Sequence, residues 1–136
     1  MKFLKIILLF LICIVFHACD TSSFAEIINK TDKEITVEIF YNRSELEKVP
    51  GLKSIKPYFN NDAQLINFDS VSMIGRLKIN PNDTLIIDSN RGSNPRFKFI
   101  RTLKIFADDT IKLNNQNEIS KSFKETSPGI FAFEFK

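Results

Sequence analysis

The imidazole and thiol groups of this chain all lie at its start. The only histidine, His17, and both cysteines, Cys13 and Cys19, fall within the first nineteen residues, and tryptophan is absent. From Asp20 onward any chemistry rests on carboxylates, Lys, Tyr, Ser and Thr. Ser-His-Asp and Cys-His nucleophiles are therefore excluded from the body of the chain, as are zinc sites built on His or Cys. Among the carboxylates, Asp83 closes Asn80-Pro81-Asn82-Asp83, and Asp108-Asp109 sits in Ala107-Asp108-Asp109-Thr110. Hard oxygens of this kind suit Ca²⁺, but neither spacing matches a calcium loop. Asp is also favoured in turns because its side chain bonds the nearby backbone, and that is the stronger reading here. A hydrolase built on two acids needs them to flank a cleft. With sixteen acidic residues in the chain, sequence pairs alone identify no such site. No cofactor is expected.

The segment that holds the cysteines has an order of its own. Lys2 and Lys5 precede Ile6 to Phe16, eleven residues without a charge. A helix that spans a bilayer needs about 20 apolar residues, so this run has the length of a signal-peptide core instead. It leads into Phe16-His17-Ala18-Cys19, which resembles the lipobox of bacterial lipoproteins: apolar at −3, small at −1, then cysteine. His17 stands where that family usually has a small residue. The resemblance implies that the Cys19 thiol receives a diacylglycerol and that cleavage leaves Cys19 as the acylated first residue. It covers residues 1–19 alone.

The expected organisation is then a signal peptide over 1–18, a lipidated cysteine and short tether over 19–23, and one domain over 24–136. Loss of Lys2 and Lys5 leaves 17 basic against 16 acidic side chains, and no basic run remains, so a nucleic-acid partner has no electrostatic footprint. A tether of Asp20-Thr21-Ser22-Ser23 reaches about 14 Å, which would hold the domain close to its membrane. Asp20, next to the cysteine, resembles the inner-membrane retention signal of enterobacterial lipoproteins. It also resembles part of the acidic surface-export signal of Bacteroidota, whose AT-rich genomes the Phe-, Ile-, Asn- and Lys-rich composition suits. The expected location is the cell envelope, the outer membrane before the inner.

Hydrophobic alternation indicates what the domain is made of. Lys33 to Tyr41 places Ile35, Val37, Ile39 and Tyr41 on one face, against Glu34, Thr36 and Glu38. Further strands are expected at Phe24–Ile28, at Ile74–Ile79 with Thr84–Asp88 returning as its hairpin partner, and at Phe97–Phe106. In the last of these, Phe97, Phe99, Leu103 and Ile105 share a parity that Arg101 breaks, which predicts a bulge or a solvent-facing stretch. Shorter strands are expected at Ile111–Leu113, at 119–124 and at Ile130–Lys136. Leu65, Ile66 and Phe68 read as an irregular edge strand, and Ser44-Glu45-Leu46-Glu47 as one helical turn. About seven short strands separated by turn signals predict an all-β antiparallel sandwich, immunoglobulin-like or transthyretin-like, with phenylalanines for its core.

Three weaker patterns complete the candidates. Asp69-Ser70-Val71, Asp83-Thr84-Leu85 and Asp109-Thr110-Ile111 each resemble the Asp-(Ser/Thr)-aliphatic acceptor of Bacteroidota O-glycosylation, which implies glycans on Ser70, Thr84 and Thr110. The same three-residue pattern also describes any turn entering a strand. Tyr58-Phe59 beside Asn60-Asn61-Asp62 forms a possible stacking platform for a sugar, or a plug for the sandwich end. Arg91, Arg96, Lys98 and Arg101 are the only local basic cluster, suited to phosphate headgroups or to a solvated face. The expected function is that of a non-enzymatic, membrane-anchored envelope lipoprotein. It would bind or scaffold envelope proteins or glycans, held to the membrane through the lipid on Cys19. The alternatives are an immunity-type lipoprotein that neutralises a toxin, and a carboxylate-based hydrolase.

Overall fold

The strand with the cleanest alternation becomes the centre of the larger sheet. The computed structural model describes residues 21–49 and 64–136, and in it β2 (Ile35–Tyr41) lies between β4 (Ile74–Ile79) and β6 (Ile100–Phe106). Ile35, Val37, Ile39 and Tyr41 are all buried, as their period of two requires. On the outer face Glu38 is also buried, because Arg76 reaches it from β4 with two guanidinium nitrogens and Lys104 approaches to 3.8 Å from β6. Lys104 in turn stands 4.7 Å over the Phe40 ring. A carboxylate covered in this way keeps both oxygens in contact with cations.

The five-stranded sheet runs β3-β4-β2-β6-β7 and the four-stranded sheet β5-β1-β9-β8. Here β1 is Ser22–Asn29, β3 Gln64–Asp69, β5 Thr84–Arg91, β7 Thr110–Leu113, β8 Lys124–Ser127 and β9 Ile130–Phe135. The two sheets pack face to face as an all-β sandwich, with nine strands among the described residues where about seven were expected. One pairing departs from the antiparallel expectation: β1 and β9 run parallel, matching Ala25 to Phe131 and Ile27 to Phe133. The Phe131, Phe133 and Phe135 face packs against the core, as the closing strand's pattern predicts.

The expected hairpin of β4 with β5 does not form. β5 instead crosses to the other sheet and pairs with β1, Leu85 opposite Ile27. Tight hairpins need primed turns, whose twist matches the strands, whereas Pro81 sets a φ suited to types I and II, which splay them. Asp83 N–H donates to the Asn80 carbonyl at 3.1 Å and Asn82 sits at φ 61°, so the turn carries the chain between sheets. The expected bulge at Arg101 is present: Phe40 pairs with Thr102 and Tyr41 with Ile100, leaving Arg101 as the extra, exposed residue. Beyond it the predicted parity fails, since Ile100 is buried where Phe99 is only half-buried. Phe97 is buried ahead of the strand at φ 50°, an unusual value for a bulky residue.

Residues 119–124, expected as a strand, belong mainly to a helix. The single turn expected from Ser44 is α1 (Arg43–Leu46), but its cap position is Asn42 and Ser44 lies inside it, its Oγ donating to Asn42 Oδ1 at 2.8 Å; α2 spans Gln116–Ser122. Asn115 caps α2 by accepting from Glu118 N–H at 3.0 Å, while Glu118 accepts from Asn115 Nδ2 at 2.8 Å and Asn114 N–H at 2.7 Å. Such reciprocal bonding satisfies donors that a helix start leaves open. Ile119 and Phe123, four residues apart, are both buried, and Phe123 packs against Phe97 and Phe133 at ring distances of 5.1 and 5.8 Å. The helix thus plugs the gap between the sheets beside β6.

Candidate functional site

The two ends of the sandwich differ in chemistry. β1 enters at the end that also carries the β5–β6 connection, α1, the β3–β4 turn and the Pro128-Gly129 turn. The far end gathers the β1–β2, β4–β5 and β6–β7 turns with the close of β9. There a cavity of about 750 Å³ is lined by Thr31, Asp32, Lys33, Glu34 and Ile35, by Phe106 to Asp109, and by Phe135 and Lys136.

Asn29, buried behind the groove, fastens the β1–β2 turn whose Thr31 to Lys33 line it. It is fully buried, and its Nδ2 donates to the carbonyls of Lys33 (2.7 Å), Asn80 (3.1 Å) and Ile79 (3.2 Å). Its Oδ1 accepts from Thr31 N–H at 3.1 Å and Thr31 Oγ1 at 2.7 Å, the self-bonding turn that Asn29-Lys30-Thr31-Asp32 leads one to expect. One side chain therefore joins the β1–β2 turn to the end of β4. Lys30 N–H donates to the Phe135 carbonyl at 2.8 Å, which fixes the turn against β9.

Across the opening, Lys33 Nζ meets both oxygens of Asp108 at 2.9 and 3.2 Å. The Asp108 carboxylate holds the Lys33 ammonium above its ordinary pKa, first through the hydrogen bond and then through charge. Both side chains are largely exposed, so this pair orients the rim more than it stabilises the fold. Asp32, Glu34, Asp108 and Asp109 are all exposed. The groove therefore offers a mixed-charge rim around apolar Ile35, Phe106 and Phe135, suited to hydrogen bonding and stacking.

The other sequence candidates do not converge on it. Thr84 is half-buried at the start of β5 and Thr110 exposed at the start of β7, both at the far end. Ser70 is exposed in the β3–β4 turn at the opposite end. Turn chemistry accounts for Asp69: its carboxylate accepts from Ser72 Oγ at 2.5 Å, the larger influence, and from Val71 N–H at 2.8 Å, which lowers its pKa. Asp83 takes a 3.2 Å bond from Asn80 Nδ2. Cys19, Tyr58 and Phe59 lie outside the described residues. Among the described residues, no group of three or more His, Cys, Asp or Glu is placed to hold a metal.

Sequence reasoning missed the Glu38 cluster and the role of Asp88. Asp88 Oδ2 accepts from Arg96 N–H at 3.1 Å and Phe97 N–H at 3.0 Å, which holds the positive-φ residue in place. Burial, the largest influence, pushes its carboxyl above the ordinary range, against the backbone bonds and Lys98. Comparison of the chain with protein-family models, curated proteins and solved structures finds no match.

Proposed function

We propose that the protein is a lipid-anchored envelope lipoprotein whose domain binds or scaffolds an envelope protein or glycan, without catalysis. The observation that carries this reading is the placement of the groove. β1 begins at Ser22, three residues after Cys19, and its first residues are already tied down: Gly92 N–H donates to the Thr21 carbonyl at 2.7 Å. The far-end groove lies at the other end of the sandwich from that point. A chain acylated on Cys19 would thus present the groove away from its own bilayer. The residue types left after Asp20, and the exposure of every acid at the groove, favour recognition over general acid–base chemistry.

Site-specific photo-crosslinking in the native cells tests this. A crosslinker at Asp109 is expected to trap a discrete envelope protein or glycan that a crosslinker at Lys124, on exposed edge strand β8, does not. Equal and diffuse products from both positions would contradict a groove-centred binding role.

A further inference from the structure

The entry end carries a set of groups that the groove leaves unexplained. Val71, at the tip of the β3–β4 turn, is 85% exposed. Arg43 Nη2 holds that tip by donating to the Ser70 carbonyl at 2.6 Å and the Val71 carbonyl at 3.1 Å. Arg43 and Arg101, together with Ser44 and Ser72, line a cavity of about 260 Å³ directly beside Val71. Arg91 pairs with Ser22 in the β1–β5 register, next to the point where the chain arrives from Cys19. Lys98, whose Nζ stands 4.6 Å over the Phe99 ring and whose charge acts on Asp88, and Arg101 are both exposed, and neither forms a salt bridge among the described residues. Among the described acids of this end, Glu47 stands 3.9 Å from Arg43, Glu45 pairs with Lys48, and Asp69, Asp88, Glu118 and Glu125 accept backbone N–H groups.

We infer that this Val71-tipped basic end docks against an anionic phospholipid surface, so that the sandwich stands end-on upon its membrane. The inference rests on the acylation of Cys19 proposed above. Only Asp20 and Thr21 separate that cysteine from β1, a reach of about 7 Å, so the entry end is held at headgroup depth. Guanidinium groups bind phosphate with planar, forked donors, and an apolar tip between them enters the boundary with the acyl chains. Acyl anchoring alone leaves the domain free to tilt; the cationic groups fix one orientation.

The chain has no tryptophan, so Val71→Trp supplies a lone fluorescent reporter. Lipidated Val71→Trp protein, purified from cell membranes, would be reconstituted into phosphatidylglycerol–phosphatidylethanolamine vesicles or phosphatidylcholine vesicles containing brominated lipid. Strong quenching is expected in the anionic vesicles and weak quenching in the zwitterionic ones. Pro81→Trp, at the far end, should stay unquenched in both. Adding Arg101→Gln and Lys98→Gln should lower the docked-to-undocked ratio at low salt about 25-fold, from roughly fivefold per charge. Raising salt to about 0.5 M should release the unmutated surface in the same way, independently of those substitutions. Lipidated protein whose position-71 indole is quenched equally by both lipids, or no more than the far-end reporter, would overturn docking and leave anchoring intact. An intact mass without acyl groups on Cys19 would overturn both.

Discussion

At the scale of single residues, Asp88 shows how a connection is held and what that costs. Its carboxylate supplies the acceptor for two backbone donors at a left-handed, buried Phe97, yet burial disfavours its charge. A carboxyl raised in the folded state binds its proton more readily there than in the unfolded chain. Stability therefore falls as pH rises from the ordinary carboxylate range through the raised folded value, and stays lower above it. Asp88→Asn keeps an acceptor oxygen without the half-buried charge. In urea titrations across that range it should flatten this contribution and match or exceed the parent at neutral pH. Asp88→Ala, which strands the Arg96 and Phe97 N–H groups, should lose roughly 1–3 kcal/mol at every pH. A variant Asp88→Asn as damaging as Asp88→Ala would show that the charge itself holds the connection.

At the scale of elements, the reading from sequence succeeded where one face of a strand is buried and failed where the partner decides. Ile35, Val37, Ile39 and Tyr41 announced β2 because a wet outer face contrasts with a dry inner one, and Arg101 announced its bulge by breaking such a contrast. Nothing local to Thr84–Asp88 says that its mate is β1, since pairing is settled by which sheet the preceding turn faces. Ile119 and Phe123 were legible as apolar but ambiguous in period; Asn115 and Glu118, three apart, held the signal that resolves them. Asn115→Ala should destabilise the protein by about 1 kcal/mol, read as a lower denaturation midpoint with unchanged slope. No change would mean that Ile119 and Phe123 alone hold α2 in place.

At the scale of the molecule, the groove was illegible because residues 31–35, 106–109 and 135–136 meet only once two sheets have packed. The polarity of the sandwich is the more informative property. One end receives the chain from Cys19 and carries Arg43, Arg91, Lys98, Arg101 and an exposed Val71; the other carries the groove and most of the turn acids. That arrangement acquires a direction only when Cys19 is tied to a bilayer, which links the opening segment to everything built after it. The intact mass of the protein extracted from its native membranes tests this most directly. The expected mass is that of residues 19–136 plus a diacylglycerol, with or without a further acyl chain. A mass that shows Cys19 free of lipid would contradict it.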